Sequence, residues 1–153
     1  MLLLFSVLAN ANPHLDAQNL TVRYLWESLP AVKVCPDSDL TMDEVMMAVH
    51  YWSGVTEEKV ARSVRRVDHC SFKKIGVIYV SSQFVPSHEN EIAITSINWY
   101  EYTNEPQTRY IDTAHVKIPT ALSYRRAKVI LHEFGHAFGF GHSEHVIMNS
   151  VME

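Results

Sequence analysis

The stretch HEFGHAFGFGH at residues 132–142 constrains the fold of this chain more than any other segment. It holds three of the five glycines and three of the nine histidines. His132 and His136 are four positions apart, so both imidazoles project from one face if the segment is helical. Gly139 allows the chain to leave that helix through a conformation that β-branched residues resist. We expect this turn to bring His142 back to the first two histidines.

Three histidines in this arrangement predict a zinc site. Their spacing suits nitrogen ligands of a tetrahedral ion, and three protein ligands leave one position for water, which is typical of catalytic zinc. Glu133 adjoins the first ligand and is the predicted general base, because it can take a proton from that water as the water attacks a carbonyl. We expect Gly135 and Gly141 to keep bulk away from the helix surface and the turn. Metal-assisted amide hydrolysis is the reaction class that follows.

The composition is that of a single globular domain. The chain has 153 residues, of which 47% are hydrophobic and 20% charged, and this suits one domain with its own core. Thirteen basic and seventeen acidic residues give a net charge of −4. No basic stripe interleaved with aromatic residues is present, so nucleic-acid binding has no support. We expect a monomeric catalytic or binding domain.

The N-terminal segment indicates export. Residues 2–8 are apolar, and residues 9–11, Ala-Asn-Ala, fit the small-x-small pattern that signal peptidase cleaves. The apolar run is too short to span a bilayer. We interpret 1–11 as a signal peptide and 12–153 as one metalloprotease catalytic domain, secreted or periplasmic. The alternative is a cytosolic protein in which this segment forms a buried N-terminal strand.

Four segments have the composition of β-strands. Strands are predicted at 31–35, 75–82, 91–102 and 110–119. The first two flank a predicted helix and should be parallel neighbours, and the charged segment before 75–82 is interpreted as a linker. The last two are joined by a short turn-like segment and should pair antiparallel, with continuation of the parallel sheet by the second of them as the alternative.

Two helices are predicted from their end signals. Thr41 and Glu44 form a capping box at the start of the first, and Gly54 occupies the position expected of a C-terminal glycine. Thr120 or Ser123 caps the second, which Gly139 ends. The fold class is therefore α+β, a small twisted sheet with two long helices, the second of which carries the histidines.

Cys35 and Cys70 are compatible with either compartment. In an exported protein an even count suggests one disulfide, whereas in the cytosol both would be buried thiols. Cys35 closes one predicted strand and Cys70 precedes its parallel neighbour, which puts them at opposite ends of the sheet unless the chain before Ile75 doubles back. The topology leaves their pairing open.

The stretch 132–142, followed by Ser143 and then Met148, resembles the extended HExxHxxGxxH site and Met-turn of the metzincin zinc endopeptidases. The serine makes it most similar to their matrixin-like branch. The resemblance implies one catalytic zinc ion and assigns roles by matching positions: zinc ligands His132, His136 and His142, general base Glu133, turn glycine Gly139 and turn methionine Met148.

The resemblance also implies a fold and a mode of substrate binding. Metzincins have a twisted, mostly parallel sheet whose antiparallel edge strand binds the peptide substrate, and 91–102 is the candidate for that strand. This chain departs from the family in its shorter spacing from His142 to Met148. Its last residues, 149–153, stand where the family continues into a pocket wall and a C-terminal helix. We interpret it as a minimal or C-terminally truncated catalytic domain.

The expected function is a zinc-dependent metalloendopeptidase acting on polypeptide substrates. One alternative is a zinc-stabilised peptide-binding pseudoenzyme, and another is a peptidase acting on cell-wall peptide cross-links. Two further histidines are left out of the site. His145 is expected to be exposed to solvent, and His115 lies on a strand, where a structural role is expected.

Overall fold

The computed structural model describes residues 19–85, 92–120 and 125–149. Within these ranges the chain forms two α-helices, a five-stranded mixed sheet and a small antiparallel sheet. The elements in chain order are β1 (Thr21–Val22), β2 (Ala31–Val34), α1 (Met42–Thr56), β3 (Ser63–Arg66), β4 (Val77–Ser81), β5 (Ile94–Glu101), β6 (Arg109–Lys117), α2 (Arg126–Ala137) and β7 (Phe140–Gly141). The predicted α+β class is confirmed.

The large sheet is mostly parallel with one antiparallel edge. Its strand order is β3-β2-β4-β6-β5, in which β3, β2, β4 and β6 are parallel and β5 runs antiparallel to β6. The predicted pairings of β2 with β4 and of β5 with β6 are therefore confirmed. The β5–β6 register shifts between Asn98 and Trp99, where Asp112 is the extra residue of β6, as in a β-bulge.

Both helices pack on one face of this sheet. The strand residues in the main core alternate along the chain, as Val32 and Val34 do in β2 and Ile78 and Val80 do in β4. They meet apolar residues of both helices, among them Trp52 of α1 and Phe134 of α2. Burying a large apolar side chain contributes roughly 1.5–3 kcal/mol, so this shared core fixes α2 on the sheet.

The opposite face is covered by the segment 67–76, which crosses from the end of β3 to the start of β4. Cys35 and Cys70 form a disulfide there, with their Cα atoms 5.6 Å apart, and they pack against Tyr79. The strand β3 explains this pairing. It lies parallel to β2 with Arg66 opposite Val34, so the chain beyond β3 emerges at the same end of the sheet as Cys35.

The interpretation of the region before β4 as a linker is therefore wrong. The strand β3 is only four residues long, and Val64 alone is partly buried. A short, polar edge strand of this kind has no hydrophobic alternation by which it could be recognised.

His115 is half-buried on the same rear face and has a structural environment. Its Nε2 lies 2.8 Å from Ser81 Oγ, and Phe72 stacks on its ring at a centroid distance of 4.6 Å. Burial lowers the pKa of His115 to about 4, so the imidazole is neutral at pH 7.

The helix ends differ from those predicted. The capping box of Thr41 and Glu44 is confirmed, but α1 continues through Gly54 because Val55 is buried in the core, and Glu57 takes the left-handed conformation instead. Helix α2 begins at Arg126 with no side-chain cap, so the prediction of Thr120 as its cap is wrong, and Ser123 lies outside the described residues. The Arg126 guanidinium pairs with Glu44 at 2.7 Å, which ties the two helix N-termini together.

The predicted signal peptide, residues 1–11, lies outside the described residues. Across 19–85, 92–120 and 125–149, neither helix has the length and apolar character needed to traverse a lipid bilayer.

Replacing both Cys35 and Cys70 by Ala should lower the free energy of unfolding by about 2–4 kcal/mol, because the disulfide closes a long loop in the unfolded chain. Guanidinium titration of wild type and double variant measures the difference. Adding a phosphine reductant should destabilise the wild type by a similar amount and leave the double variant unchanged. Equal stability of the oxidised wild type and the variant would contradict the stabilising role.

Candidate metal centre

Three imidazoles converge at the end of α2. The Nε2 atoms of His132 and His136 are 3.0 Å apart, those of His136 and His142 are 3.2 Å apart, and those of His132 and His142 are 3.3 Å apart. Among the described residues these three form a group with the spacing of a metal site. His132 is buried, His136 is partly buried and His142 is exposed, so one side of the triangle faces solvent.

Backbone carbonyls orient two of these rings. His132 Nδ1 donates to the carbonyl oxygen of Ile147 at 2.6 Å, and His136 Nδ1 donates to that of Phe140 at 2.9 Å. A carbonyl oxygen can only accept, so the proton of each neutral ring resides on Nδ1 and the lone pair on Nε2. This is the tautomer and the outer hydrogen bond that metal-binding histidines have.

The rings are neutral as well as oriented. Burial lowers the pKa of His136 to about 4, and burial is also the main cause that lowers the pKa of His132. At pH 7 their Nε2 atoms therefore direct lone pairs towards one another and towards His142. The approach of the His132 and His136 lone pairs to 3.0 Å is repulsive unless a cation lies beside them.

The triangle has the dimensions of a metal site. Tetrahedral ligands with metal–nitrogen bonds of 2.0–2.1 Å have nitrogen atoms about 3.3–3.4 Å apart. The observed 3.0–3.3 Å is close to that spacing. The donor set of three imidazoles fits a divalent ion of the zinc type.

Met148 lies beneath the histidine helix and is fully buried. A Cβ atom added to Gly135 would lie 2.4 Å from Met148 Sδ and 2.6 Å from the Trp52 ring. A side chain at Gly135 therefore requires Met148 and Trp52 to move, in agreement with the expectation that this glycine keeps bulk away. Trp52 also donates its indole N–H to the carbonyl oxygen of Leu131 at 2.8 Å, which fixes the turn of α2 that precedes His132.

Gly139 ends the helix and turns the chain, as predicted. Its φ is +106°, and an added Cβ would lie 2.2 Å from the carbonyl oxygen of Tyr24. The Gly139 carbonyl accepts the backbone N–H groups of Arg23 and Tyr24, and β1 then pairs with β7. At Gly141 an added Cβ would make only ordinary contacts, so the prediction that this glycine excludes bulk is wrong.

A closed loop follows the third histidine. The Ser143 N–H donates to the carbonyl oxygen of Met148 at 3.0 Å, so the short connection closes on itself. His145 lies inside this loop with 1% of its surface exposed, so the expectation of a solvent-exposed His145 is wrong. Its Nδ1 accepts the N–H of Ile147 at 3.2 Å, and its ring packs on Trp52.

Glu133 is also buried, with 5% of its surface exposed. Thr95 of the edge strand β5 approaches it, with Oγ1 2.6 Å from the carboxylate Oε2 and 2.9 Å from the backbone oxygen of the same residue. The carboxylate thus lies between helix α2 and the open edge of the sheet. Within the described residues β5 pairs on one side only.

A scan against protein-family models finds no match for this chain, and a search of curated proteins finds no similar sequence.

Three residues of this centre were not assigned to the site from sequence. Trp52 and Thr95 lie far from the histidines along the chain, and only the tertiary contacts identify them. His145 lies between His142 and Met148 in the sequence, and this position alone suggested a place near the site. No sequence pattern there distinguishes a buried histidine in a tight loop from an exposed one.

Replacing Gly135 by Ala should lower the free energy of unfolding by about 1–3 kcal/mol, because overpacking forces Met148 and Trp52 to move. Both proteins are first treated with a chelator, so that bound metal does not contribute. The matched control is Gly54→Ala at an exposed position of α1, which should be neutral or stabilising by up to about 1 kcal/mol. Denaturant unfolding compares the two variants. A Gly135→Ala protein as stable as wild type would refute the close packing.

Replacing His145 by Ala should weaken metal binding about tenfold, because Ile147 loses the group that fixes it and its carbonyl then orients His132 less well. His145→Asn, which keeps a short acceptor, should recover part of the loss. Competition with a chromophoric zinc chelator measures the affinity, with the exposed His50→Ala as control. Unchanged metal affinity in His145→Ala would show that the loop positions the Ile147 carbonyl without the His145 side chain.

Proposed function

We propose that this protein is a zinc-dependent metalloendopeptidase of the metzincin type, similar to its matrixin-like branch. The observation that carries the proposal is the convergence of three imidazole Nε2 atoms, 3.0–3.3 Å apart, beside a buried glutamate. The strand order, with an antiparallel edge strand next to that glutamate, supports the same proposal.

His132, His136 and His142 would hold the zinc ion through Nε2. When bound, zinc supplies Lewis-acid chemistry, polarising a peptide carbonyl and lowering the pKa of water to about 7. The burial that keeps the first two imidazoles neutral makes their lone pairs available for binding. The exposed side at His142 leaves room for a substrate to approach.

Glu133 would move the proton. Its carboxylate accepts a proton from the attacking water and then delivers it to the nitrogen of the leaving amine. Both transfers require the carboxylate to stay in one orientation beside the ligands. Its adjacency to His132 on α2 and its contact with Thr95 supply that orientation.

The edge strand β5 would bind the substrate. An extended peptide can add to an unpaired sheet edge through backbone hydrogen bonds, which select for chain conformation and tolerate many side chains. Because Thr95 of β5 contacts Glu133, a peptide bound along this edge would pass directly beside the base. An internal peptide bond of an unfolded or extended polypeptide is the substrate that such a site accepts.

Zinc-loaded wild type should cleave a denatured, fluorescently labelled casein, whereas Glu133→Ala should bind zinc equally well and cleave at least about a hundredfold more slowly. Zinc content is measured on both proteins by atomic emission. The exposed Glu58→Ala serves as the matched control and should cleave like wild type. Loss of activity in Glu58→Ala as well would mean that the assay reports stability and not chemistry.

His142→Ala tests the third ligand. Loss of one of three ligands should weaken zinc binding by several orders of magnitude, and unchanged affinity would contradict the proposed ligand set. Zinc-loaded wild type that binds the labelled chain without cutting it would favour a peptide-binding role. Cleavage of purified cell-wall peptides in place of casein would favour the wall peptidase.

A further inference from the structure

Thr95 contacts the carboxylate of Glu133. Its Oγ1 lies 2.6 Å from Oε2 and 2.9 Å from the Glu133 backbone oxygen. A hydroxyl has one proton to donate, and 2.6 Å is the length of a charge-assisted O–H···O⁻ bond. The proton therefore goes to the carboxylate, and the contact with the backbone oxygen is secondary.

The register of the sheet puts this hydroxyl in place. Thr95 pairs with Val116 of β6, and Ile97, two residues further along β5, pairs with Ala114. Ile97 packs on the main core beneath the helices, so Thr95 faces α2 as well. A one-residue slip of β5 would turn Thr95 to the rear face and remove the bond.

Contacts with Trp52 and Met148 also hold helix α2 in place. Trp52 anchors the carbonyl of Leu131, and the tight approach of Gly135 to Met148 leaves α2 little room to shift. The flexible part of the arrangement is the glutamate side chain itself, which has several rotatable bonds and loses substantial rotamer freedom when it is fixed.

We propose that Thr95 is a positioning residue for Glu133, and that its hydroxyl holds the carboxylate in the orientation required for proton transfer. The inference rests on the proposed peptidase function. A carboxylate has about four acceptor sites, so one bond from Thr95 leaves the group able to accept a further proton. The methyl group of Thr95 is not required for this role, and the hydroxyl is.

The test compares Thr95→Val, which keeps the shape and removes the donor, with Thr95→Ser, which keeps the donor. The Val variant should have a kcat about tenfold below wild type and a KM within about twofold, as expected for the loss of one charge-assisted bond. The Ser variant should retain a kcat within about threefold. Zinc content should be equal in all three proteins.

Thr113→Val is the matched control. Thr113 lies on the neighbouring strand β6 and accepts a hydrogen bond from Asn98 at 2.9 Å, away from Glu133. Its replacement should leave kcat unchanged. A Thr95→Val protein with wild-type kcat, a loss of zinc that parallels the loss of activity, or a Ser variant as slow as the Val variant would overturn the positioning role.

Acetohydroxamate binding tests the inference without turnover. A hydroxamic acid gives up its acidic proton when it chelates a metal ion, and Glu133 is the carboxylate beside the ligands that would accept it. Thr95→Val and Glu133→Ala should each weaken acetohydroxamate binding to the zinc-loaded protein, by about threefold or more. If wild type cleaves no polypeptide, the proposed function fails while this result still decides the role of Thr95. Equal acetohydroxamate affinity in wild type and Thr95→Val overturns it.

Discussion

The indole of Trp52 contacts every segment that supplies a ligand to the candidate metal centre. It donates to the Leu131 carbonyl on α2, stacks on Phe140 at a centroid distance of 5.0 Å and packs on His145 in the closing loop. The backbone carbonyl of Phe140 in turn accepts a hydrogen bond from His136 Nδ1. One fully buried side chain from α1 thus sets the distances between α2, the turn after it and the loop. A change in the Trp52 position would move all three.

The same packing explains how a short loop can complete the site. Only five residues separate His142 from Met148. The bond from the Ser143 N–H to the Met148 carbonyl closes the loop, and the buried His145 fills it. The Ile147 carbonyl can therefore reach His132 Nδ1 from a connection of this length.

Local chemistry determined which features could be predicted from sequence. The spacing of His132 and His136 and the turn at Gly139 depend on neighbouring residues, so the convergence of the histidines followed from the motif. The end of α1 and the start of α2 depend instead on the burial of Val55 and on the Arg126–Glu44 pair, which no local pattern encodes. The Cys35–Cys70 pairing required knowledge of β3, whose four residues have no recognisable period. Thr95 meets Glu133 only through the sheet register.

Apolar packing holds the segments that carry the three imidazoles. The main core joins both helices to one face of the sheet and includes Phe140, Ile147 and Met148 from the turn and loop around the site, and the disulfide lies on the rear face. Apolar burial around the site therefore offsets the cost of bringing the Nε2 lone pairs of His132 and His136 together, and a bound cation would relieve the repulsion between them. Structural zinc sites differ, because there the metal supplies much of the folding free energy. A triangle of imidazoles set on an apolar core can leave one side open to substrate, which is the arrangement that catalysis requires.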